Sequence, residues 1–350
     1  MTDGKEFKGV ATIDDVAALA GVSKMTVSRV INNSGYVKQQ TRQRVEEAIE
    51  ALKFRPNMVA KGLATGRNHV IAYMMIDISD PFHNLVSQGI EAVCYENGYT
   101  TMMCDIHNQA RETDYMNMLI DRQIDGAILH HLDITKERVE ELERAGVRCV
   151  LLDNERTIEG VCNVETDNCG GAYMAAQYLA EQGMKRIGCM HGPLESAPQS
   201  DAYVDAFQRR IWRERTKGFV DGLASFGLKP VGFYPCSSNV MDGTRMSKQI
   251  ARDLISGGNP PDAVYCENDT MALGVLSTLL EMQYYPRRMA VMGHDGLDMS
   301  LMLYPRVTTV AQPRYRMGFE SCKALIDLIE GRGDIQNILL KPELVVGDTA

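Results

Sequence analysis

Two sets of residues in this 350-residue chain have types and spacings that can do chemistry. The first lies between Thr12 and Asn32, in TIDDVAALAGVSKMTVSRVIN. Lys24, Met25, Ser28 and Arg29, with Thr26 and Asn32 beside them, recur at helical spacing and can reach base edges and phosphates. With Thr12 and Ser23, which open the two short helices, they form the candidate DNA-contacting set of this stretch. The second set sits where apolar runs end. It comprises Asp80 and Phe82 in the segment Asp77 to Phe82, then Asp153, His191, Glu267, Asn268, Asp269, His294 and Asp295, with Arg215 as a cationic donor. Ligands of open α/β sheets bind outside the carboxyl ends of strands. Carboxylates, an amide, an arginine and an aromatic plate converging there suit a polyhydroxylated small molecule.

The positioning elements follow from pattern. Thr12 caps a first helix and Asp15, three residues on, completes a capping box. Val16, Leu19 and Ala20 give that helix its apolar stripe and Gly21 ends it. Ser23 caps the second helix, whose Val27 and Val30 face the first. A third helix, about Gln40 to Lys53, carries Val45, Ala48, Ile49 and Leu52. Pro56 ends it, and Asn57 caps a short fourth helix, Met58 to Ala64, which is too short to be stable alone. Two helices joined by a tight turn, with a polar outward face on the second, fit a helix-turn-helix that reads the major groove, the alternative being an ordinary helical hairpin whose polar face is solvated.

These residues carry a close resemblance to the LacI/GalR family of bacterial transcription repressors over essentially the whole chain. Thr12 to Asn32, VKQQTRQRVEEAIEAL and FRPNMVAKGLA match its headpiece and hinge in order and spacing. The resemblance implies a homodimer on a near-palindromic double-stranded operator, with Lys24, Met25 and Arg29 at the main base-reading positions. It implies that Leu63 wedges into the minor groove, with Ala60 and Lys61 beside it; such a wedge unstacks a base step and bends the duplex. Lys38 stands where the family usually has a serine cap. In the body, ISDPFH, DNCGGAY, NDTMALG, GHDG and the Arg-x-x-Gly-aromatic pattern at Arg215 match effector-facing segments. Asp295 and Arg215 are the foremost contacts so implied, then Asn268. His294 replaces a usual tyrosine, and Asn154 stands where an arginine often follows the aspartate.

Composition agrees once divided. The net charge is −9, but residues 1–67 hold eleven Lys and Arg against seven Asp and Glu, leaving 26 against 39 for the rest. A basic reader on an acidic body is the expected asymmetry. Nine scattered cysteines without a CxxC pair read as reduced core thiols, which with the lack of a signal peptide or membrane-length apolar run gives a cytoplasmic protein. No GxSxG, P-loop, HExxH or strand-linked GxGxxG is present, so neither an enzyme nor a cofactor or metal site is expected.

From His69 onward, VIAYMMI, TTMMC, GAILH, CVLLD, IGCMH, VGFY, AVYC and MAVMG alternate with helical stretches, which predicts an α/β body with parallel sheets. The expected plan is an all-α headpiece at 1–56, a hinge helix and linker at 57–67, and a two-lobed periplasmic-binding-protein-like body at 68–350. Lobe 1 takes about 68–162 and 309–327, lobe 2 about 163–308 and 328–350. Ser196 to Glu214 is about a dozen residues longer than the family norm, and Trp212 within it either lines the cleft or anchors the longer helix, the anchor being the preferred reading. The functional expectation is a repressor under allosteric control by a small molecule, a sugar or sugar derivative first. The alternatives are control by a nucleobase or a protein partner, or a soluble sugar-binding protein without regulatory activity. No heptad tail follows PELVVGDTA, so a dimer is expected.

Overall fold

The structure is a computed structural model that describes residues 11–55, 67–106, 110–193, 210–237, 239–284 and 288–350, with backbone alone at 109 and 209. It divides into two units, residues 1–68 and 69–350.

The first unit holds helices α1 (Ile13–Ala20), α2 (Lys24–Ile31) and α3 (Gln39–Ala51). The capping box at Thr12 and Asp15 is present, with the Thr12 N–H donating to Asp15 Oδ2 at 2.8 Å. Gly21 ends α1 at φ +63°, in the left-handed region that favours glycine. Ser23 Oγ accepts the Thr26 N–H at 3.2 Å and starts α2. Lys38 gives α3 no side-chain cap. Val16, Ala17, Ala20, Val27, Val30, Val45 and Ala48 form the shared core. Leu19, expected in it, is 57% exposed. At about 100° per residue it lies to one side of Val16 while Ile13, Ala20 and Ala17 lie to the other, so the buried stripe leaves it out. The hinge residues Asn57, Ala60, Lys61 and Leu63 lie outside the described residues.

The second unit contains two six-stranded sheets among its described residues. The first lobe holds β1 (Val70–Met75), β2 (Thr100–Asp105), β3 (Gly126–His130), β4 (Arg148–Leu152) and β5 (Cys162–Thr166). Its helices are α4 (Phe82–Asn97), α5 (Gln109–Asp121) and α6 (Lys136–Arg144). The second lobe holds α7 (Asn168–Glu181), β6 (Ile187–His191), α8 (Arg209–Ala224), β7 (Phe233–Pro235), α9 (Val240–Ser256), β8 (Ala263–Cys266), α10 (Asp269–Glu281), β9 (Ala290–Asp295), α11 (Asp298–Met302) and β10 (Thr308–Ala311). Then α12 (Arg314–Glu330) and β11 (Ile338–Leu340) return to lobe 1, and β12 (Glu343–Val345) ends in lobe 2.

Strand order is β11-β5-β4-β3-β1-β2 in the first sheet and β12-β10-β9-β8-β6-β7 in the second. All pairings are parallel except β10 with β12. Central strands β3, β6, β8 and β9 are buried throughout, which is why they read as unbroken apolar runs. In lobe 1, α4 crosses α12 at glycine contacts: a Cβ on Gly318 would lie 1.9 Å from the Val86 carbonyl oxygen.

The chain passes between lobes three times, at β5 to α7, β10 to α12 and β11 to β12. The expected lobe bounds shift accordingly: β5 belongs whole to the first sheet and β10 to the second. The third crossing, expected near residues 327 and 328, falls later, between β11 and β12, because ILL and ELV are too short to signal as strands.

Candidate functional site

In the headpiece, α2 has no acidic residue in its first turn and presents Lys24, Met25 and Arg29 outward, with Met25 65% exposed. Lys24 Nζ pairs with Asp14 Oδ1 at 2.6 Å, a surface pair that a phosphate can replace. Asn32 Nδ2 donates to Ser28 Oγ at 3.2 Å, and the hydroxyls of Ser23 and Thr26 lie 2.9 Å apart. Thr12 and Ser23 are thus engaged as caps, while Lys24, Met25 and Arg29 form the exposed outward face of α2. A helix of this length with cationic and apolar groups outward and Val27 and Val30 inward fits a major groove.

The body unit has a separate site between its lobes. Asp80, Phe82, Arg215, Asn268 and Asp295, five of the six residues expected to contact an effector, line one narrow cavity. His131, Ile211, Trp212 and Gln312 complete it, and only about 30 Å³ is free among them. Asp153 is not part of this lining. Its carboxylate accepts the Thr166 N–H at 2.7 Å and the Thr166 hydroxyl at 2.9 Å, so it fastens β5.

Each lining residue is placed by local structure. Arg215, on α8 and 4% exposed, donates through Nε to Asn168 Oδ1 at 2.9 Å and through Nη1 to the Glu267 carbonyl. The same nitrogen is 3.2 Å from Asp295 Oδ1. Asp295 ends β9 at φ +118° and accepts from Gln312 Nε2 at 2.8 Å. Burial raises its pKa to about 6 against the opposing pull of Arg215. Burial also raises Asp80 to about 6, and one Asp80 oxygen accepts the Phe82 N–H at 2.9 Å at the start of α4. Asn268 caps α10, its Oδ1 taking the Met271 N–H at 2.8 Å and the Thr270 hydroxyl at 2.9 Å. Phe82 packs beside His130 and His131, ring centroids 5.9 Å from each. Tyr73 Oη joins His83 Nδ1 at 2.9 Å and His130 Nδ1 at 2.6 Å behind them. Burial lowers all three histidines, His83 to about 4, and keeps this cluster neutral.

Trp212, for which the sequence left lining and anchoring open, is both packed and part of the cavity lining. It is 3% exposed, its ring lies so close to Gly192 that a Cβ there would be 2.3 Å away, and the Arg215 guanidinium sits 5.5 Å from the ring centroid. The available signal was its place one helical turn before Arg215. Gln312 had a weaker one, its position on a chain segment between lobes. His191, Glu267 and His294 are turned away from the cavity. His191 Nδ1 lies 2.7 Å from the Gly192 carbonyl oxygen, and His294 Nδ1 2.7 Å from Tyr265 Oη. Glu267 Oε1 accepts from Thr216 Oγ1 at 2.6 Å. No group of three or more metal-ligating side chains occurs among the described residues, and no described helix is long and apolar enough to cross a membrane.

A helix-turn-helix unit followed by a two-lobed parallel α/β body with a polar inter-lobe cleft defines a ligand-responsive DNA-binding regulator. The comparisons place it further. Residues 12–57 match the bacterial regulatory proteins of the lacI family and residues 71–333 match a periplasmic binding protein domain. The HTH-type transcriptional repressor PurR of Vibrio vulnificus (strain CMCP6) is 30% identical over 350 residues, covering 97% of this chain and 98% of that protein. PurR of Photobacterium profundum is 28% identical over 347 residues, covering 96% and 98%. Among solved structures, the lac repressor dimer bound to operator and the anti-inducer ONPF superposes with TM-score 0.81 at 24% identity, covering 97% of this chain and 99% of that one. The regulator CelR in complex with cellobiose gives TM-score 0.68 at 26% identity, covering 97% and 100%. The chain belongs to the LacI family: it is a DNA-binding transcriptional repressor and not an enzyme.

Proposed function

We propose that this repressor binds a near-palindromic operator as a homodimer and changes its grip when a small, flat nitrogen heterocycle of the purine class occupies the inter-lobe cleft. The observation that carries this is the state of the cleft's acceptors. A sugar needs partners for a ring of hydroxyls, yet Asn268 Oδ1 is engaged in capping α10 and one Asp80 oxygen in starting α4. The rest of the lining offers aromatic surface at Phe82 and Trp212 and the Arg215–Asp295 pair. Aromatic rings stack on a flat heterocycle, and a charged pair fixes its polar edge. The naming of the curated relatives as PurR supports the same class and weighs against the sugar expected from residue types. Against it stands CelR, which holds cellobiose on a similar fold.

The test is calorimetric titration of the full-length protein with hypoxanthine, guanine and adenine beside ribose, glucose and cellobiose. Operator binding is then measured with and without each compound that binds. The expected result is binding of a purine base that alters operator affinity by the coupling typical of allosteric repressors, ~1–3 kcal/mol. Binding of a sugar with none of the bases would overturn the heterocycle reading and restore the sugar.

A further inference from the structure

All nine cysteines are free thiols, and two of them face each other. Cys94 on α4 and Cys322 on α12 are both fully buried, and their sulfurs stand 3.5 Å apart. They are 228 positions apart in the chain, so tertiary packing alone brings them together. That packing is close. A Cβ on Gly89 would collide with the Tyr315 carbonyl oxygen, and one on Gly318 with that of Val86, so the two helices touch backbone to backbone. Cys94 lies five residues after Gly89 and Cys322 four after Gly318, about one helical turn on in each case, where the backbones are still near. A disulfide needs Cα atoms within about 7 Å and sulfurs at about 2 Å. From 3.5 Å the sulfurs have only about 1.5 Å left to travel.

The pair also differs in chemistry from the other seven. Cys104, Cys149, Cys162 and Cys236 donate to backbone carbonyls and Cys189 to Glu267. Burial raises the pKa of these five and of Cys169 and Cys266. Cys94 alone is lowered. The hydrogen bond from Cys322, with a second from Thr101, outweighs its burial, while Cys322 is raised by making that bond and by burial. The thiolate is the nucleophile in thiol chemistry, so Cys94 is the attacking sulfur and Cys322 the resolving one. The cover over Cys94 is thin, since its neighbour Thr101 donates to Glu91 Oε2 at 2.9 Å in a solvent-exposed bond.

We propose that Cys94 and Cys322 are an oxidation site of this repressor, which a peroxide converts to a disulfide that ties α4 to α12. The Cys94 thiolate attacks one oxygen of hydrogen peroxide and breaks the O–O bond, leaving a sulfenic acid and a hydroxide that takes up a proton to become water. Cys322 Sγ then attacks the sulfenic sulfur; the S–O bond breaks, and the hydroxyl leaves with the Cys322 proton as a second water. Two thiols lose two electrons and one peroxide gains them. Because both sulfurs are buried, the first step waits on local opening at Thr101, so the disulfide forms slowly in the folded chain. It joins the helix that starts at Phe82 to the helix that follows Gln312, and so braces two elements that carry cleft residues without touching the cleft itself.

The test exposes the reduced full-length protein to hydrogen peroxide in its folded state, then alkylates it and cleaves after Lys and Arg without reduction. Cys322 falls in Met317–Lys323 and Cys94 in 68–111, which also holds Cys104; Cys104→Ser removes that ambiguity. The expected product is these two peptides joined, lighter than their sum by two hydrogens, with free thiols falling from nine to seven and dithiothreitol restoring both. A link across 228 positions restricts the unfolded chain, so the oxidised body melts several degrees higher. Cys94→Ala and Cys322→Ala show neither the linked peptide nor the rise. Recovery of Cys94 and Cys322 as separate peptides from peroxide-treated wild type with a native circular dichroism spectrum overturns the proposal, and this needs no variant. So does a link from Cys322 to any other cysteine. A Cys94–Cys322 link that leaves the melting temperature unchanged or lower overturns the claim that the native helices already hold the sulfurs in place. Neither operator nor effector enters this experiment, so its outcome and that of the calorimetric test are independent.

Discussion

Arg215 and Asp295 meet 3.2 Å apart at the floor of the inter-lobe cleft, and the same Asp295 oxygen takes a hydrogen bond from Gln312 at 2.8 Å. Gln312 lies on the segment that leaves β10 in lobe 2 for α12 in lobe 1. Two residues on, Arg314 donates to the Gly296 carbonyl in lobe 2 at 2.6 Å and to the Pro81 carbonyl in lobe 1 at 3.4 Å. A ligand that contacts the Arg215–Asp295 pair is thereby one hydrogen bond from a chain crossing that is bonded to both lobes. The unusual backbone of Asp295, at φ +118°, is the kind of strain that persists only where surrounding contacts enforce it.

Asp295→Asn keeps the shape and the Gln312 contact but removes the counter-charge of a buried guanidinium. Breaking a buried pair from one side typically costs about 3 kcal/mol or more. The expected outcome is a lower melting temperature and loss of effector response, with headpiece binding to operator retained. Calorimetry with the active ligand and a DNA titration check both halves. A variant that still changes operator affinity with ligand means the cleft has been misplaced.

Gly318→Ala tests the crossing of α4 and α12. The added methyl would lie 1.9 Å from the Val86 carbonyl oxygen, a backbone atom that cannot rotate away. Overpacking of this kind costs ~1–3 kcal/mol or more. Chemical denaturation of the full chain is expected to show a clearly earlier transition of the body; an unchanged midpoint would mean the helices can separate freely.

How far the sequence carried can be seen in particular residues. Thr12, Asp15, Gly21 and Ser23 placed two helices correctly because caps act locally. Strands buried on both faces announced themselves as apolar runs, whereas β5, with Asn163 and Glu165 in it, and the three-residue β11 and β12 did not. Asp80, Phe82, Arg215, Asn268 and Asp295 were legible because each stands at or beside a strand end or on a patterned helix. Asp153 looked equivalent, but which way a carboxylate turns is decided by a partner 13 residues on, Thr166. Trp212 was left between lining and anchoring because its place depends on Gly192 leaving room for the ring, a tertiary fact that no local pattern carries.

Arg29→Ala separates reading from sticking. Arg29 is exposed on α2 beside Met25, and a good base contact carries about 1–3 kcal/mol of discrimination. Affinity for operator should fall about tenfold or more while affinity for scrambled duplex of the same length falls much less. Fluorescence anisotropy on both duplexes at one salt concentration decides the matter. Equal losses on the two would demote Arg29 to a phosphate contact.

Glu267 supplies a test of the interior beneath the cleft. It is fully buried, and desolvation outweighs the hydrogen bond from Thr216 and the pull of Arg215, raising its pKa from 4.5 to about 8. Between those values the native state keeps a proton that the unfolded chain releases. Stability from this group is therefore fully present below about 4.5 and lost as pH rises toward about 8, at up to about 1.4 kcal/mol per pH unit. Asp269, Asp295, Asp80 and Asp153, all raised by burial, push the same way, while the buried histidines push oppositely at lower pH. Those contributions are shared by wild type and Glu267→Gln, so they cancel in the difference between the two. The melting temperature of the wild type should fall relative to that of the variant across this window, the curves lying closest at its acid end. Parallel curves would mean that Glu267 titrates like a solvated glutamate and that the floor of the second lobe admits water.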